Sequence, residues 1–393
     1  MLLKTRTHGP VLVDDTGLPR FWPTAWLLLH GAQLAPSTQR KKLGHIEALY
    51  RHTEALGGNL DDAIAELDLD RLGNALESFF VALRNLPEPT TTAACRWDTA
   101  FRFVRDICFR LEKSQAVGKK LDAIDQRMRR LDNLYLGLRP YRPRKWKKPR
   151  AIPAHVVREL LAAAHPGAPH NPFSNEATQW RVFVLVNLLL IHGLRRGEAL
   201  SLPADFLKSE QDPRTGVTRW WLSVRTNDEK DDPRAEAPSV KTINSVRTIP
   251  VEPFSASAFL TYLENYRGKV SHRYFLSSAR GTPLTLEGAY KALERLTGAL
   301  SPKARADLLD ATGAKHITPH ALRHTCAGVR VRQLFAKGET ADQVMQSLRA
   351  YFGWSKNSLM PVHYTRPALA ERMAATMDAQ FGERLDFLRG LPE

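Results

Sequence analysis

Residues 140–150 read PYRPRKWKKPR, and this stretch limits the fold more than any other. Its three prolines remove backbone donors and hold the segment extended. Its six basic residues, with no acid among them, repel one another unless something negative runs alongside. Such a segment joins two cores without belonging to either. A solvated linker and a strap along a polyanion both fit it. The 393 residues suffice for two domains, each with its own core. The expected division is a tail over 1–20, a helical domain over 21–139, the basic linker over 140–150, a second domain over 151–366 and a C-terminal helix over 367–393.

The first half is patterned as helix. Apolar residues recur at helical spacing at Leu43, Ile46, Leu49 and Tyr50, after a start signal at Pro36-Ser37-Thr38. The spacing predicts one or two helices over 60–83, another over 91–111 and a basic one over 119–138. In the second half, helices at 153–164, 182–191, 254–266 and 286–300 surround extended runs at 219–225 and 240–250. The fold class is therefore mainly α with a small antiparallel β-sheet in the second domain (α+β). The apolar run 182–191, interrupted by Asn187, is too short to span a bilayer and predicts a buried helix.

A formal net charge of +16 favours a polyanionic partner, nucleic acid being the commonest. Three cysteines without paired spacing predict neither a disulfide framework nor a thiolate zinc site, and fit a reduced, cytoplasmic setting. No signal peptide is expected.

The polar residues of the second half carry the chemistry. In H-I-T-P-H-A-L-R-H-T, at 316–325, Thr318 and Pro319 start a helix, with His320 and Arg323 on one face near its positive end. An imidazole and a guanidinium so placed suit a phosphate. His320 and His324, four apart, have the spacing of a zinc pair, but Ala321 stands where the H-E-x-x-H pattern has Glu, so no metal is expected.

Further motifs stand in order: G-L-R-R-G-E at 193–198, K-T-x-x-S-x-R-x-I-P at 241–250, Gly353-Trp354, and Y-T-R at 364–366. With the H-x-x-R stretch they resemble the tyrosine recombinase (phage integrase) family over roughly 150–366. The resemblance implies a two-domain C-shaped clamp whose helical N-terminal part is a core-binding domain. It implies Tyr364 as nucleophile, attacking a DNA phosphodiester to leave a 3′-phosphotyrosine, with Arg195 and Arg323 on the phosphate oxygens and His320 as base. Lys241 would protonate the leaving 5′ oxygen. Trp354 stands where the family more often has His, and its indole N–H donates one hydrogen bond but shuttles no proton. Glu198 would brace an active-site arginine or His320.

No cofactor is implied, since a phosphotyrosine conserves the bond energy for religation, and no nucleotide-binding glycine loop is found. The implied partners are double-stranded DNA and further copies of the chain, a tetramer on two synapsed sites exchanging C-terminal helices, with room for accessory or sister recombinases. Candidate DNA-binding residues are Arg40, Lys41, Arg127, Arg144, Lys145, Lys147 and Lys148. The implied location is cytoplasmic and nucleoid-associated. Two other readings share the fold: a DNA-binding accessory protein that does not cleave, and type IB topoisomerase-like relaxation.

Overall fold

The computed structural model describes residues 2–5, 9–86, 91–114, 126, 129–130, 133, 151–225, 232–234, 238, 245–370 and 373. The chain divides into two compact units, Met1–Lys145 and Trp146–Glu393. Outside the described residues lie most of the expected helix over 119–138, the basic linker, Lys241 and nearly all of the C-terminal helix beyond 370. Arg127, Arg144, Lys145, Lys147 and Lys148 lie outside them too.

In the first unit, β1 (Leu2–Thr5) pairs antiparallel with β2 (Gly9–Leu12). Then come α1 (Phe21–Trp26), a π-turn over Leu27–Gly31, α2 (Pro36–Ala55), α3 (Leu60–Ala65), α4 (Leu69–Arg84) and α5 (Thr91–Ser114). Local chemistry sets the boundaries. Pro36 occupies the first turn of α2, while the carboxamide of Asn59 and the carboxylate of Asp68 accept the free N–H groups of α3 and α4. The apolar faces meet in one core through Leu43, Ile46 and Leu49 of α2, Leu72, Leu76 and Phe80 of α4, and Phe103 and Val104 of α5. Leu12 of β2 enters the same core, tying the hairpin to the helices.

The second unit begins with α6 (Ala154–Ala164) and α7 (Glu176–Leu190). Every residue of α7 from Arg181 to Leu190 is buried, as expected of a helix apolar on all sides. Next come α8 (Arg196–Ser201) and an antiparallel sheet of β3 (Leu207–Gln211), β4 (Thr218–Val224) and β5 (Arg247–Val251), in that order. β4 and β5 answer the two extended runs, whereas β3 reads L-K-S-E-Q and gave no apolar signal. It is an outer strand, mostly exposed, where polar side chains are the rule. α9 (Pro253–Thr261) continues as a π-turn over Tyr262–Tyr266. α10 (Leu286–Gly298), α11 (Pro302–Thr312), α12 (Pro319–Ala336) and α13 (Ala341–Phe352) follow, and residues 360–370 are helical. Among the described residues no helix is long and apolar enough to cross a membrane, and Cys95, Cys108 and Cys326 are free thiols.

Candidate active site

The second unit gathers three guanidinium groups around one carboxylate, and two glycine turns make this possible. Three residues beyond the end of α7 stands Gly193, whose φ of +60° turns the chain sharply. A Cβ there would meet Phe352 at 2.6 Å and the Cys326 sulfur at 2.8 Å, so both conformation and space demand glycine. Two residues on, Arg195 precedes α8. Its backbone N–H donates to Glu198 Oε2 (2.9 Å), and its Nη1 donates to Glu198 Oε1 (2.5 Å) and Ser245 Oγ (3.2 Å).

The second turn closes α13. Gly353, at φ +60°, caps the helix in the left-handed conformation. Three successive carbonyls at this helix end each take one guanidinium. Tyr351 O accepts from Arg247 Nε (2.7 Å), Phe352 O from Arg323 Nη2 (2.7 Å), and Gly353 O from Arg195 Nη2 (3.4 Å). Free carbonyls at a helix C-terminus carry partial negative charge and favour cations. Arg323, on the first turns of α12, also donates from Nη1 to Gly193 O (2.5 Å).

Glu198 stands at the centre, 1% exposed. Arg247 Nη2 donates to it at 2.9 Å, and Arg323 Nη1 lies 3.5 Å away. Burial alone would push its carboxyl up. The hydrogen bond and charge of Arg247, then the charges of Arg323 and Arg195, overcome this and hold it at about 2. Burial draws the Arg323 guanidinium down to about 9, so it stays a cation at neutral pH. Three cations against one anion leave the cluster net positive and suited to a phosphate.

Tyr364 lies on the helical segment 360–370, 7% exposed. Its ring stacks on Trp354 (5.6 Å between centroids, 7° between planes), and Trp354 stacks on Phe352 (4.8 Å, 18°). The Arg323 guanidinium sits over both Phe352 (4.9 Å) and Trp354 (5.9 Å). Trp354 therefore places the phenol beside the arginines by stacking. The Tyr364 hydroxyl is hydrogen-bonded to Nδ1 of His324, whose Nε2 lies 2.7 Å from Nε2 of His320. Burial pushes the phenol up from its ordinary value, with the Arg323 charge opposing.

Arg195, Glu198, Arg323, Trp354 and Tyr364 thus share one cluster, and His320 reaches it through His324. Two members were given no part in this site from sequence, His324 having been weighed only as half of a zinc pair. Arg247 is the arginine of K-T-x-x-S-x-R-x-I-P, and that motif position was its available signal; the structure places it on β5, facing Glu198. His324 follows His320 by one helical turn. Lys241 lies outside the described residues, between two anchored points: Pro238, whose carbonyl accepts from Ser201 Oγ (3.1 Å), and buried Ser245. Arg40 and Lys41 lie on α2 of the other unit, the first half-buried and the second exposed. Among the described residues no group of three or more His, Cys, Asp or Glu side chains is placed to hold a metal ion.

The phage integrase family model matches residues 150–371. Similar solved structures include the following three. A XerH site-specific recombinase, bound to a palindromic difH substrate in a post-cleavage complex, is 15% identical, with 60% of this chain and 54% of that one covered (TM-score 0.39). XerA recombinase is 16% identical over 90% of this chain and 97% of that one (TM-score 0.36). A lambda integrase(75-356) dimer bound to a COC′ core site is 14% identical over 88% and 94% (TM-score 0.42). No curated protein matches the sequence.

Proposed function

Since the chain belongs to the phage integrase family, the tyrosine recombinases, we propose that it is a site-specific DNA recombinase that cuts and rejoins duplex DNA through a 3′-phosphotyrosine on Tyr364. One observation carries the reading: a buried tyrosine hydroxyl, held by a histidine, stacked through one indole against an arginine of a net-positive cluster. Attack on phosphorus builds negative charge on the non-bridging oxygens, and Arg195 and Arg323 supply fixed donors to them. Their positions are set before substrate arrives, by Glu198 and the carbonyls at the end of α13. Lys241 is the acid for the leaving 5′ oxygen. Because the phosphotyrosine ester retains the bond energy, religation by the 5′ hydroxyl needs no nucleotide.

The helical first unit serves as the core-binding domain of a clamp on DNA, with Arg40, Lys41, Arg127 and the basic linker on phosphates. The working form is a tetramer on two sites, with residues 367–393 as the exchanged segment. The test mixes the protein with sheared genomic DNA of its source, quenches in SDS and sequences the DNA that stays covalently attached. Adducts that converge on one sequence and vanish in Tyr364→Phe are expected. Specific binding without an adduct would point instead to a non-cleaving accessory protein. Adducts scattered without a preferred site, with supercoils relaxed, would point to a topoisomerase.

A further inference from the structure

We propose that the proton of the Tyr364 nucleophile leaves through a two-histidine relay, first to His324 and then to His320, which makes His324 a catalytic residue. This rests on the reading of Tyr364 as nucleophile. The three groups form one line. Tyr364 is 7% exposed and His324 is also 7% exposed, whereas His320 is exposed to solvent. The line therefore runs from a buried acid to an open outlet.

The register of α12 explains why both imidazoles serve. His320 and His324 are four residues apart, so their rings share a face, with centroids 4.1 Å apart and planes at 80°. His320 Nε2 approaches His324 Nε2 rather than the phenol, and among the described residues His324 Nδ1 is the acceptor for the Tyr364 O–H. A buried hydroxyl needs an acceptor, which assigns the tautomer. Nδ1 of His324 accepts from the phenol, its Nε2–H donates to Nε2 of His320, and His320 carries its own hydrogen on Nδ1.

Proton transfer then follows the bonds already drawn. As the Tyr364 oxygen bonds to phosphorus, its hydrogen moves to Nδ1 of His324, and the Nε2 hydrogen of His324 moves to Nε2 of His320. The bond from phosphorus to the 5′ oxygen breaks, and that oxygen takes a proton from the separate acid. The relay is left with one added proton, on His320. His320 is exposed, so the proton passes on from it to water. Burial makes the phenol a weaker acid than free tyrosine, so a base in direct contact has more to supply.

The test is single-turnover adduct formation on the sheared genomic DNA, with three changes to the protein. His324→Asn places a hydrogen-bond acceptor near the position of Nδ1 but cannot take up a proton. His320→Gln can accept a hydrogen bond at the outlet. In the third, Tyr364 is replaced by 2,3,5-trifluorotyrosine, a more acidic phenol. His324→Asn should form adducts roughly 10²–10⁴-fold more slowly, the usual worth of a positioned base, with its thermal midpoint near wild type. His320→Gln should be intermediate. The fluorinated phenol should recover at least tenfold of the His324→Asn loss while changing the wild-type background little, because a more acidic nucleophile needs less help. A purely structural role for His324 predicts no such rescue. If wild type forms Tyr364-dependent adducts and His324→Asn matches its rate, or its loss is not rescued, the relay is wrong and the recombinase reading stands. If wild type forms no adduct, the reading and the relay fall together.

Discussion

A carboxylate facing three guanidinium groups in a buried site is stable only as an anion, and Glu198 therefore sets both the shape and the acid tolerance of the cluster. Removing it in Glu198→Ala leaves Arg195, Arg247 and Arg323 facing one another, with an expected loss of about 3–5 kcal/mol in denaturant unfolding. Its folded value of about 2 lies below the ordinary 4.5. Its contribution is therefore complete above pH 4.5 and is lost as pH falls toward 2. His192 acts over a higher window. It is 1% exposed, neither ring nitrogen has a hydrogen-bond partner among the described residues, and burial takes it to about 3 from 6.5. The unfolded chain gains that proton first, so stability should fall with acid from about pH 6.5, by up to ~1.4 kcal/mol per pH unit. Replacing His192 by Phe, which matches its packing against Phe259, should flatten that part of a stability–pH curve, and an unchanged slope would refute the assignment. Individual residues were legible where their type is costly to bury or chemically distinctive. Arg195, Arg323, Trp354 and Tyr364 stood out through the motifs that carry them, and Arg247 did not. His324 did not, because whether a second histidine one turn on meets a phenol depends on where residues 360–370 pack, and no local spacing encodes that.

Secondary elements position this chemistry through their ends. The C-terminus of α13 and the turn at Gly193 between them hold all three arginines, so Gly193→Ala should act well beyond its own methyl group. The added carbon meets Phe352 and Cys326 in a backbone conformation that alanine resists. An expected loss of roughly 1–3 kcal/mol in chemical denaturation should come with slower adduct formation, as the Arg323 acceptor shifts. A second anchor lies in the connection between β4 and β5. Arg234 and Asp232 pair at 2.7 Å with both side chains almost fully buried, and Arg234 Nη1 also donates to Leu200 O (2.9 Å) and Leu284 O (3.1 Å). Tyr274 donates to the same Asp232 carboxylate (2.8 Å). Breaking the pair with Arg234→Met strands a buried anion, and equilibrium unfolding should show about 3–5 kcal/mol of lost stability. The double variant Asp232→Asn/Arg234→Met should recover part of it. In the sequence Asp232 and Arg234 read only as part of a charged loop, because a buried ion pair and a solvated one share a composition. β3 escaped for the same reason that protects it, its polar outer face. Helix α11, within a stretch read as helical, had no bounds of its own in the sequence, because its two buried residues, Ala304 and Leu308, give it no continuous apolar stripe. Helices with long stripes, α2, α4 and α5, were plain.

At the scale of the molecule, each unit has its own hydrophobic core, and the excess of positive charge belongs to the chain as a whole. Affinity for a non-specific duplex should drop by roughly 10³ or more between 50 and 200 mM salt if six or more phosphates are contacted. Changing Arg144, Lys145, Lys147 and Lys148 to Gln should lower the slope of log affinity against log salt by about one for each phosphate left without its cation, and should not alter the Tyr364 chemistry. An unchanged slope would place the linker away from phosphate. Net charge was legible because it is a sum over many residues. The site was less so, because its bonds join residues far apart in sequence: Arg195 to Gly353, Arg247 to Tyr351, Arg323 to Gly193. That separation also sets an order of events during synthesis, which runs from the first residue at about 5–20 residues per second. Arg195 emerges early and waits for the carbonyls of residues 351–353, and Tyr364 comes after all of them. A polypeptide released shortly before that codon would keep the first unit and the basic linker but lack Tyr364. On the proposed reading, such fragments would occupy DNA without breaking it, and translation errors would yield competitors of the intact protein instead of stray nicks.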